Sequence, residues 1–294
     1  MKAMDVSQMK IRAIAPWFGG KRNLAAKIVE TLGPHRVYWE LFCGSMAVLM
    51  AKPPCVMETV NDLNTELINL AKVIQDTKLG SQLYRKLRRT MMDEQLHKEA
   101  AQRYKSRGYF TPESKPDLDR AYDYFLCSWL GRNGVAGTQS YNQGFCARYT
   151  ANGGHAAKRF KSVTESIPAW RQRLRNVTIL RRDAFEILGK IDDRKGTAIY
   201  IDPPYLKKGA KYIHDFEDGD HQRLAQMLQK FTLSRVVVSY YDEPELNTLY
   251  PGWSRIEIPR VKSLANQNKR GKFNKKKAKE VLLVNESREG LFNG

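Results

Sequence analysis

The pattern of apolar and polar positions divides the chain into two kinds of segment. Residues 1–75 and 177–294 alternate short apolar runs with helical periodicity, which is typical of an α/β sheet protein. Residues 76–176 lack apolar strand runs: a charged helical pattern comes first, then an aromatic helix, then a Gly/Asn/Tyr-rich stretch at 131–154. We therefore predict an α/β domain built from the two outer segments, with an inserted, mainly helical subdomain between them.

The same pattern predicts individual elements. The predicted strands are 37–42, 56–60, 177–180, 198–201, 235–239, 254–258 and 280–284. The predicted helices are 24–32, 47–51, 66–75, 83–105, 118–130 and 222–231, the last with Asp220 as its N-cap. No ten-residue helix separates the last two strands. We therefore expect them to pair as an antiparallel hairpin beside an otherwise mostly parallel sheet.

The net charge of the chain indicates a class of binding partner. Among 294 residues, 50 Lys and Arg against 31 Asp and Glu give a formal net charge of +19. Such an excess favours a polyanionic partner, with nucleic acid first. An acidic membrane surface is the alternative, but no amphipathic anchor segment stands out.

The cysteines and the lengths of the apolar stretches argue against disulfide-rich, metal-binding, membrane and secreted proteins. Cys43, Cys55, Cys127 and Cys146 form no C-x-x-C pair, and the five histidines show no ligand spacing, so neither a disulfide framework nor a metal site is expected. No apolar stretch reaches the ~18–20 residues of a membrane span, and residues 1–14 contain no signal-peptide core. We expect a cytoplasmic protein without membrane or metal, and a monomer, although the sequence does not fix the oligomeric state.

The strongest chemical signal is Asp202-Pro203-Pro204-Tyr205, at the end of the apolar run 198–201. Open α/β sheets bind ligands at the carboxyl ends of their strands. An exocyclic ring amine is a poor nucleophile because its lone pair is delocalised. Two acceptors, the Asp202 carboxylate and the Pro203 carbonyl, would take both N–H bonds and localise that pair, while Tyr205 offers a stacking face. A tight turn after a strand is the non-functional alternative.

This tetrapeptide is the catalytic signature of amino-methyltransferases that use S-adenosylmethionine. From about residue 15 to 285, the chain resembles the Dam-type DNA adenine N6-methyltransferases (D12 class, alpha group). The resemblance implies a Rossmann-like methyltransferase fold, S-adenosylmethionine as cofactor, double-stranded DNA as partner, and a bacterial or phage origin. It also implies that the insertion is the target-recognition domain and that Asp202 to Tyr205 are catalytic, with Asp202 also near the cofactor.

Two N-terminal motifs carry the resemblance to a cofactor pocket. Residues 16–22, Pro-Trp-Phe-Gly-Gly-Lys-Arg, resemble the family's W-x-G-G-K motif, which implies that Trp17 packs on the cofactor and Lys21 pairs with its carboxylate. Residues 40–46, Glu-Leu-Phe-Cys-Gly-Ser-Met, resemble its E-P-F-x-G-x-G loop. That loop implies cofactor contacts from Glu40, Phe42 and Gly44. This sequence departs from it twice, with leucine for the proline at 41 and methionine for the second glycine at 46.

Two acids complete the expected pocket. Asp62 follows the second predicted strand, about twenty residues past the glycine loop, where a carboxylate suits a ribose diol. A helix-cap role for Asp62 is compatible with this. Asp183 ends another predicted strand and resembles the acid that contacts the cofactor's adenine.

DNA contacts are expected in two further places. Residues 131–145 resemble the family's N-R-T-G-F-N-G hairpin region, and the polar side chains expected to read base edges there are Arg132, Asn133, Asn142 and Gln143. Residues 259–279 hold nine Lys or Arg and no acid. From this loop we expect phosphate contacts by Lys269, Arg270, Lys272, Lys275, Lys276 and Lys277.

The sequence thus predicts a site-specific DNA adenine N6-methyltransferase that flips its target base out of the helix. The same chemistry on cytosine N4 in DNA or on adenine N6 in RNA is the nearest alternative. A non-enzymatic DNA-binding protein on a decayed methyltransferase fold is the alternative of another class. The target site, and whether a restriction enzyme accompanies the protein, stay open.

Overall fold

The structure is a computed structural model that describes residues 12–17, 19–107, 115–131, 144–147, 155–206, 216–258 and 279–286. Its centre is one seven-stranded sheet with the order β3-β2-β1-β4-β5-β7-β6. The strands are β1 (Val37–Glu40), β2 (Met57–Asn61), β3 (Val177–Leu180), β4 (Thr197–Ile201), β5 (Arg235–Tyr241), β6 (Ser254–Ile258) and β7 (Glu280–Val284).

The strands divide into a parallel part and a C-terminal hairpin. Strands β1 to β5 are mutually parallel, whereas β7 lies antiparallel between β5 and β6. Strand β4 is buried at all five positions, as expected for a central strand covered on both faces. The predicted strands, the antiparallel hairpin and the Rossmann-like methyltransferase fold are confirmed.

Helices cover both faces of the sheet. They are α1 (Ala25–Leu32), α2 (Ala47–Ala51), α3 (Thr65–Gln75), α4 (Thr77–Arg88), α5 (Glu94–Ser106), α6 (Leu118–Leu130), α7 (Ala156–Thr164), α8 (Ile167–Leu174), α9 (Ala184–Lys190), α10 (Asp218–Leu228) and α11 (Leu246–Leu249). A short 3-10 helix, Lys21–Asn23, precedes α1. None of the helices in the described ranges is long and apolar enough to cross a membrane.

Alternating strand residues divide the core into two apolar clusters. Ala198 and Tyr200 of β4 belong to the cluster under α1, α2 and α3, whereas Ile199 and Ile201 belong to the cluster under α9 and α10. This follows from the period of two along a strand, which sends successive side chains to opposite faces. The molecule therefore has three layers, with the sheet between two layers of helices.

The insertion is helical and continuous with the first cluster. Helices α4 to α8 contribute Leu83, Phe125 and Trp170 to the same apolar cluster as the sheet. Helix α3 packs against α4, α6 and α8. The division of the chain at residues 76 and 176 stays a prediction.

Two details of the predicted elements were wrong. The helix predicted at 83–105 is two helices, α4 and α5, because Asp93 caps a new helix by accepting from the Leu96 N–H. Asp220 is not the N-cap of α10 but lies in its first turn, where its carboxylate accepts from the N–H of Glu217, the actual N-cap. In both cases a local hydrogen bond sets the helix start.

Candidate active site

The candidate site lies where strands β1 and β4 run side by side. From β1 the chain continues to β2 and β3 on one side, whereas β4 leads to β5 on the other, so this is the switch point of the sheet. Ligands bind at such points, outside the carboxyl ends of the strands. Glu40 is the last residue of β1, and Asp202 follows the last residue of β4.

A cavity of about 260 Å³ opens at this edge. Its lining includes every residue that the sequence assigned to the cofactor: Trp17, Lys21, Glu40, Phe42, Gly44, Asp62, Asp183 and Asp202. Pro204 also lines it, whereas Pro203 and Tyr205 are buried and are not among its lining residues. Motifs that lie far apart in the sequence thus line the same cavity.

The glycine loop after β1 is shaped by two left-handed residues. Gly44 has a φ of 43°, and a β-carbon there would stand 2.8 Å from Nε1 of Trp17. Met46, at the position of the family's second glycine, has a φ of 59° and is fully buried. A non-glycine residue therefore keeps the left-handed conformation, at a cost of roughly 1–2 kcal/mol.

Asp62 closes this loop from the neighbouring strand. Its Oδ2 accepts from the Gly44 N–H at 2.8 Å, and its Oδ1 accepts from the Asn64 N–H at 2.8 Å. Asn61 fixes the same edge, since its amide bonds the carbonyl oxygens of Leu41 and Arg182 and accepts from the Arg182 N–H. Helix α3 is capped by Asn64, so the helix-cap role considered for Asp62 belongs to its neighbour.

The far wall is aromatic, and the sequence analysis missed most of it. Phe216 stacks on Phe185 with ring centroids 5.7 Å apart and meets Phe42 edge-on at 5.5 Å. Asp183 stands at the start of α9, where it accepts from the Phe185 N–H. The position of Phe185, two residues after the acid that caps α9, is the signal that could have indicated it.

The turn at residues 202–205 is held by ion pairs. Lys21 Nζ lies 2.9 Å from Asp202 Oδ1 and 3.1 Å from Glu280 Oε1, and it also donates to the Gly19 carbonyl at 2.9 Å. The expected partner of Lys21 was a cofactor carboxylate, and Glu280 was not singled out from the sequence. Burial raises the pKa of Asp202 to about 6, which Lys21 opposes and Glu280 reinforces.

Tyr205 is enclosed by other aromatic rings and is 8% exposed. Its ring meets Tyr241 edge-on at 4.3 Å and lies 5.9 Å from Tyr240. Its hydroxyl lies 2.7 Å from Glu280 Oε1 and 3.3 Å from Asp202 Oδ1, so the single proton goes by preference to Glu280. The stacking role of Tyr205 stays a prediction.

Glu40 is buried with an uncommon protonation state. Its Oε2 accepts from the Tyr38 hydroxyl at 2.9 Å and from the Leu49 N–H at 3.1 Å. Burial nevertheless raises the pKa of Glu40 to about 8, and the nearby Asp202 charge adds to the rise. At neutral pH this carboxyl is therefore mostly protonated.

The predicted DNA-contacting residues lie outside the described part of the chain, as does Phe18 of the first motif. These are Arg132, Asn133, Asn142, Gln143, Lys269, Arg270, Lys272, Lys275, Lys276 and Lys277. Within the described ranges, no group of three or more His, Cys, Asp or Glu is arranged to hold a metal ion.

A comparison with known protein families bears on this site. The family model described as D12 class N6 adenine-specific DNA methyltransferase matches residues 17–266. The match runs from the tryptophan of the cavity through the turn 202–205 and into the basic run that starts at residue 259.

Proposed function

Because the chain belongs to the D12 class of N6 adenine-specific DNA methyltransferases, we propose that the cavity and the turn 202–205 form its active site. In this site an adenine of double-stranded DNA is held at N6 by Asp202 and the Pro203 carbonyl, next to S-adenosylmethionine in the cavity. The observation that carries the proposal is the meeting of Asp202 with the glycine loop and Asp62 around one cavity.

The lining residues fit S-adenosylmethionine. Gly44 brings bare backbone to the cavity, Asp62 offers carboxylate oxygens for a ribose diol, and Phe42, Phe185 and Phe216 offer apolar faces for a flat purine ring. Trp17 lies against Gly44 and adds a further aromatic wall. When bound there, S-adenosylmethionine supplies the electrophilic methyl group.

Asp202 is the acceptor for the amine. Its contacts with residues in the described ranges use Oδ1, which leaves Oδ2 for an N6–H. With a pKa of about 6, the carboxylate is ionised at neutral pH and can hold the proton that N6 gives up. The Pro203 carbonyl, which has no competing N–H of its own, takes the second N6–H.

Other parts of the proposal rest on composition. The net charge of +19 supports a DNA duplex as partner, with the helical insertion of residues 76–176 as the target-recognition domain and residues 1–75 and 177–294 as the catalytic domain. All four cysteines are unpaired, which supports a reducing cytoplasm. We propose a monomer as the active form.

The test is to incubate the purified chain with duplex DNA and isotopically labelled S-adenosylmethionine, and to identify the methylated nucleoside by mass spectrometry. We expect N6-methyladenine, at one sequence context. The Trp17→Ala and Asp62→Ala variants should lose cofactor affinity in calorimetry much more than DNA affinity. Label in N4-methylcytosine, label on RNA alone, or unchanged cofactor affinity in both variants would contradict the proposal.

A further inference from the structure

Glu280 occupies a position that the sheet topology makes unusual. It is the first residue of β7, and β7 runs antiparallel to β5, so its amino end lies at the same edge as the carboxyl ends of the parallel strands. Glu280 pairs in register with Tyr241 of β5 and Ile258 of β6. The Asp242 N–H donates a hydrogen bond to the Lys279 carbonyl oxygen at 2.7 Å, which fixes the chain just before Glu280. The backbone therefore places this carboxylate firmly beside the catalytic turn.

Two polar groups, one from the turn and one from Lys21, converge on a single oxygen of Glu280. Oε1 accepts from the Tyr205 hydroxyl at 2.7 Å and lies 3.1 Å from Lys21 Nζ. The Lys21 side chain is 6% exposed, and its ammonium lies 5.0 Å from the centre of the Tyr205 ring. In the described part of the chain, two carboxylates and one ammonium thus share a mostly buried site, with one excess negative charge among them.

We propose that Glu280 is a positioning residue of the active site, whose carboxylate holds Lys21 and Tyr205 on the Oδ1 side of Asp202 and so keeps Oδ2 open to the adenine amine. The inference rests on the function proposed above. Without the Glu280 charge, Lys21 would have Asp202 as its only carboxylate partner among the described residues, and its ammonium could reach across to Oδ2 and compete with the amine.

The other groups that face Asp202 do not replace this carboxylate. Tyr200, Tyr205, Tyr240 and Tyr241 all have a pKa raised by burial, so they stay neutral across the working range. Glu40, on the β1 side, is mostly protonated at neutral pH. Among the described residues, the charge balance around Asp202 is therefore set by Lys21 and Glu280.

The test compares Glu280→Gln with Glu280→Asp and with Glu257→Gln in the full-length chain. Glu257 lies on β6 of the same hairpin, is 60% exposed, and pairs only peripherally with Lys279 at 3.1 Å, so it is the matched control for charge and hairpin stability. For each variant we would measure Tm, kcat, the KM values for cofactor and DNA, and the pH dependence of kcat.

Glu280→Gln should lower kcat about tenfold with each KM within about twofold. The acid limb of its pH–kcat profile should shift to lower pH by roughly one unit, because the like charge of Glu280 next to Asp202 has been removed. Glu280→Asp should restore the acid limb of the pH–kcat profile to its wild-type position. Glu257→Gln should behave as the wild type. A Glu280→Gln enzyme with unchanged kcat and an unchanged acid limb of its pH–kcat profile would overturn the inference. A loss of activity explained entirely by a fall in Tm would overturn it too.

A second readout does not depend on methyl transfer. With ¹³C-labelled aspartate carboxyl groups, and with Asp202→Asn to assign the signal, NMR should show Asp202 titrating near pH 6 in the wild type and at lower pH in Glu280→Gln. An unchanged midpoint in Glu280→Gln would refute the role of Glu280. If the wild type gave no methylated adenine while the midpoint moved as expected, the proposed function would fail and the contact between Glu280 and the turn would stand.

Discussion

Trp17 lies so close to Gly44 that no side chain fits between them. A β-carbon at Gly44 would stand 2.8 Å from Nε1 and 3.0 Å from Cδ1 of the indole. The contact joins the N-terminal W-x-G-G-K motif to the glycine loop, and both line the same cavity. A side chain at position 44 is therefore excluded by Trp17 itself.

Gly44→Ala should weaken cofactor binding at least about tenfold, because the added methyl group must displace the Trp17 ring. Calorimetry with S-adenosylmethionine measures the loss. Gly33→Ala is the matched control, since Gly33 also has a positive φ, of 64°, but nothing within 4 Å of its would-be β-carbon. Equal losses in both variants would show that backbone strain alone, and not the tryptophan contact, is responsible.

Met46 should reverse the usual order of alanine and glycine substitutions. Both changes remove a fully buried side chain, which costs about 2–5 kcal/mol of unfolding free energy. Only glycine relieves the strain of the left-handed backbone, worth roughly 1–2 kcal/mol. In urea denaturation, Met46→Gly should therefore be destabilised, but less than Met46→Ala. The opposite order would mean that the left-handed conformation is not present in solution.

Much of this site follows from the sequence because short segments determine it. The buried run at 198–201 ends at two prolines, so both the central strand and the position of Asp202 are local properties. The glycine loop and Asp62 each follow a strand, and parallel strands bring their carboxyl ends to one edge. The structure brings all eight residues that the sequence assigned to the cofactor to one cavity, and their binding of a cofactor stays a prediction.

The features that sequence reasoning missed depend on pairing between distant segments. Glu280 meets Lys21 only because β7 is antiparallel and enters the sheet next to β5, which no local pattern of Glu280 reveals. The break between α4 and α5 was hidden because residues 89–93, Arg-Thr-Met-Met-Asp, contain no glycine or proline to mark it. Met46 was recognised as a departure from the family loop, but only the backbone shows that this residue adopts a positive φ, of 59°.

Glu40→Gln should change the pH dependence of stability and little else in the fold. The pKa of Glu40 is about 8 in the native state and 4.5 ordinarily, so its contribution to stability is full below pH 4.5 and is lost as pH rises towards 8. Glutamine imitates the protonated form. Below about pH 4.5 its unfolding free energy should match the wild type. At pH 6.5 it should already exceed the wild type, because the unfolded wild-type carboxyl is ionised there, and at pH 8.5 the difference should be larger.

The control for Glu40 is alanine at the same position. Glu40→Ala leaves the Tyr38 hydroxyl and the Leu49 N–H without their acceptor, which costs roughly 1–3 kcal/mol at either pH. Guanidinium denaturation at pH 6.5 and 8.5 separates the two variants. If the glutamine variant were as unstable as the alanine variant at pH 6.5, the native carboxyl would be ionised there and its raised pKa would be wrong.

Asp202→Asn should remove activity without removing stability. The lost charged acceptor should lower the rate of adenine methylation about 10²–10³-fold. Because the native pKa of Asp202 lies above its ordinary value of 3.8, its contribution to stability is full below pH 3.8 and is lost as pH rises through about 6. At pH 7.5 the neutral amide should therefore keep or raise Tm, with Lys21 still paired to Glu280. Near-wild-type turnover would end the proposed role of Asp202.

The basic run 259–279 should act on DNA of any sequence. Lys275, Lys276 and Lys277 lie outside the described part of the chain, and the prediction rests on their charge. Replacing all three with glutamine should weaken binding to target and scrambled duplexes alike, because phosphate contacts carry no base information. Each lost contact should flatten the plot of log affinity against log salt by about 0.9, so by up to roughly 2–3 in total.

The matched control removes three cations elsewhere. Lys190, Arg194 and Lys195 precede β4, at the edge of the sheet opposite Asp202, and the first two pair with Glu186 and Asp192. Their glutamine triple variant has the same net charge as the loop variant and should keep the salt slope. Changing Arg132 or Asn133 should instead alter which site is methylated. If the loop variant kept its slope and lost only target preference, the basic run would read bases and the insertion would not be the recognition domain.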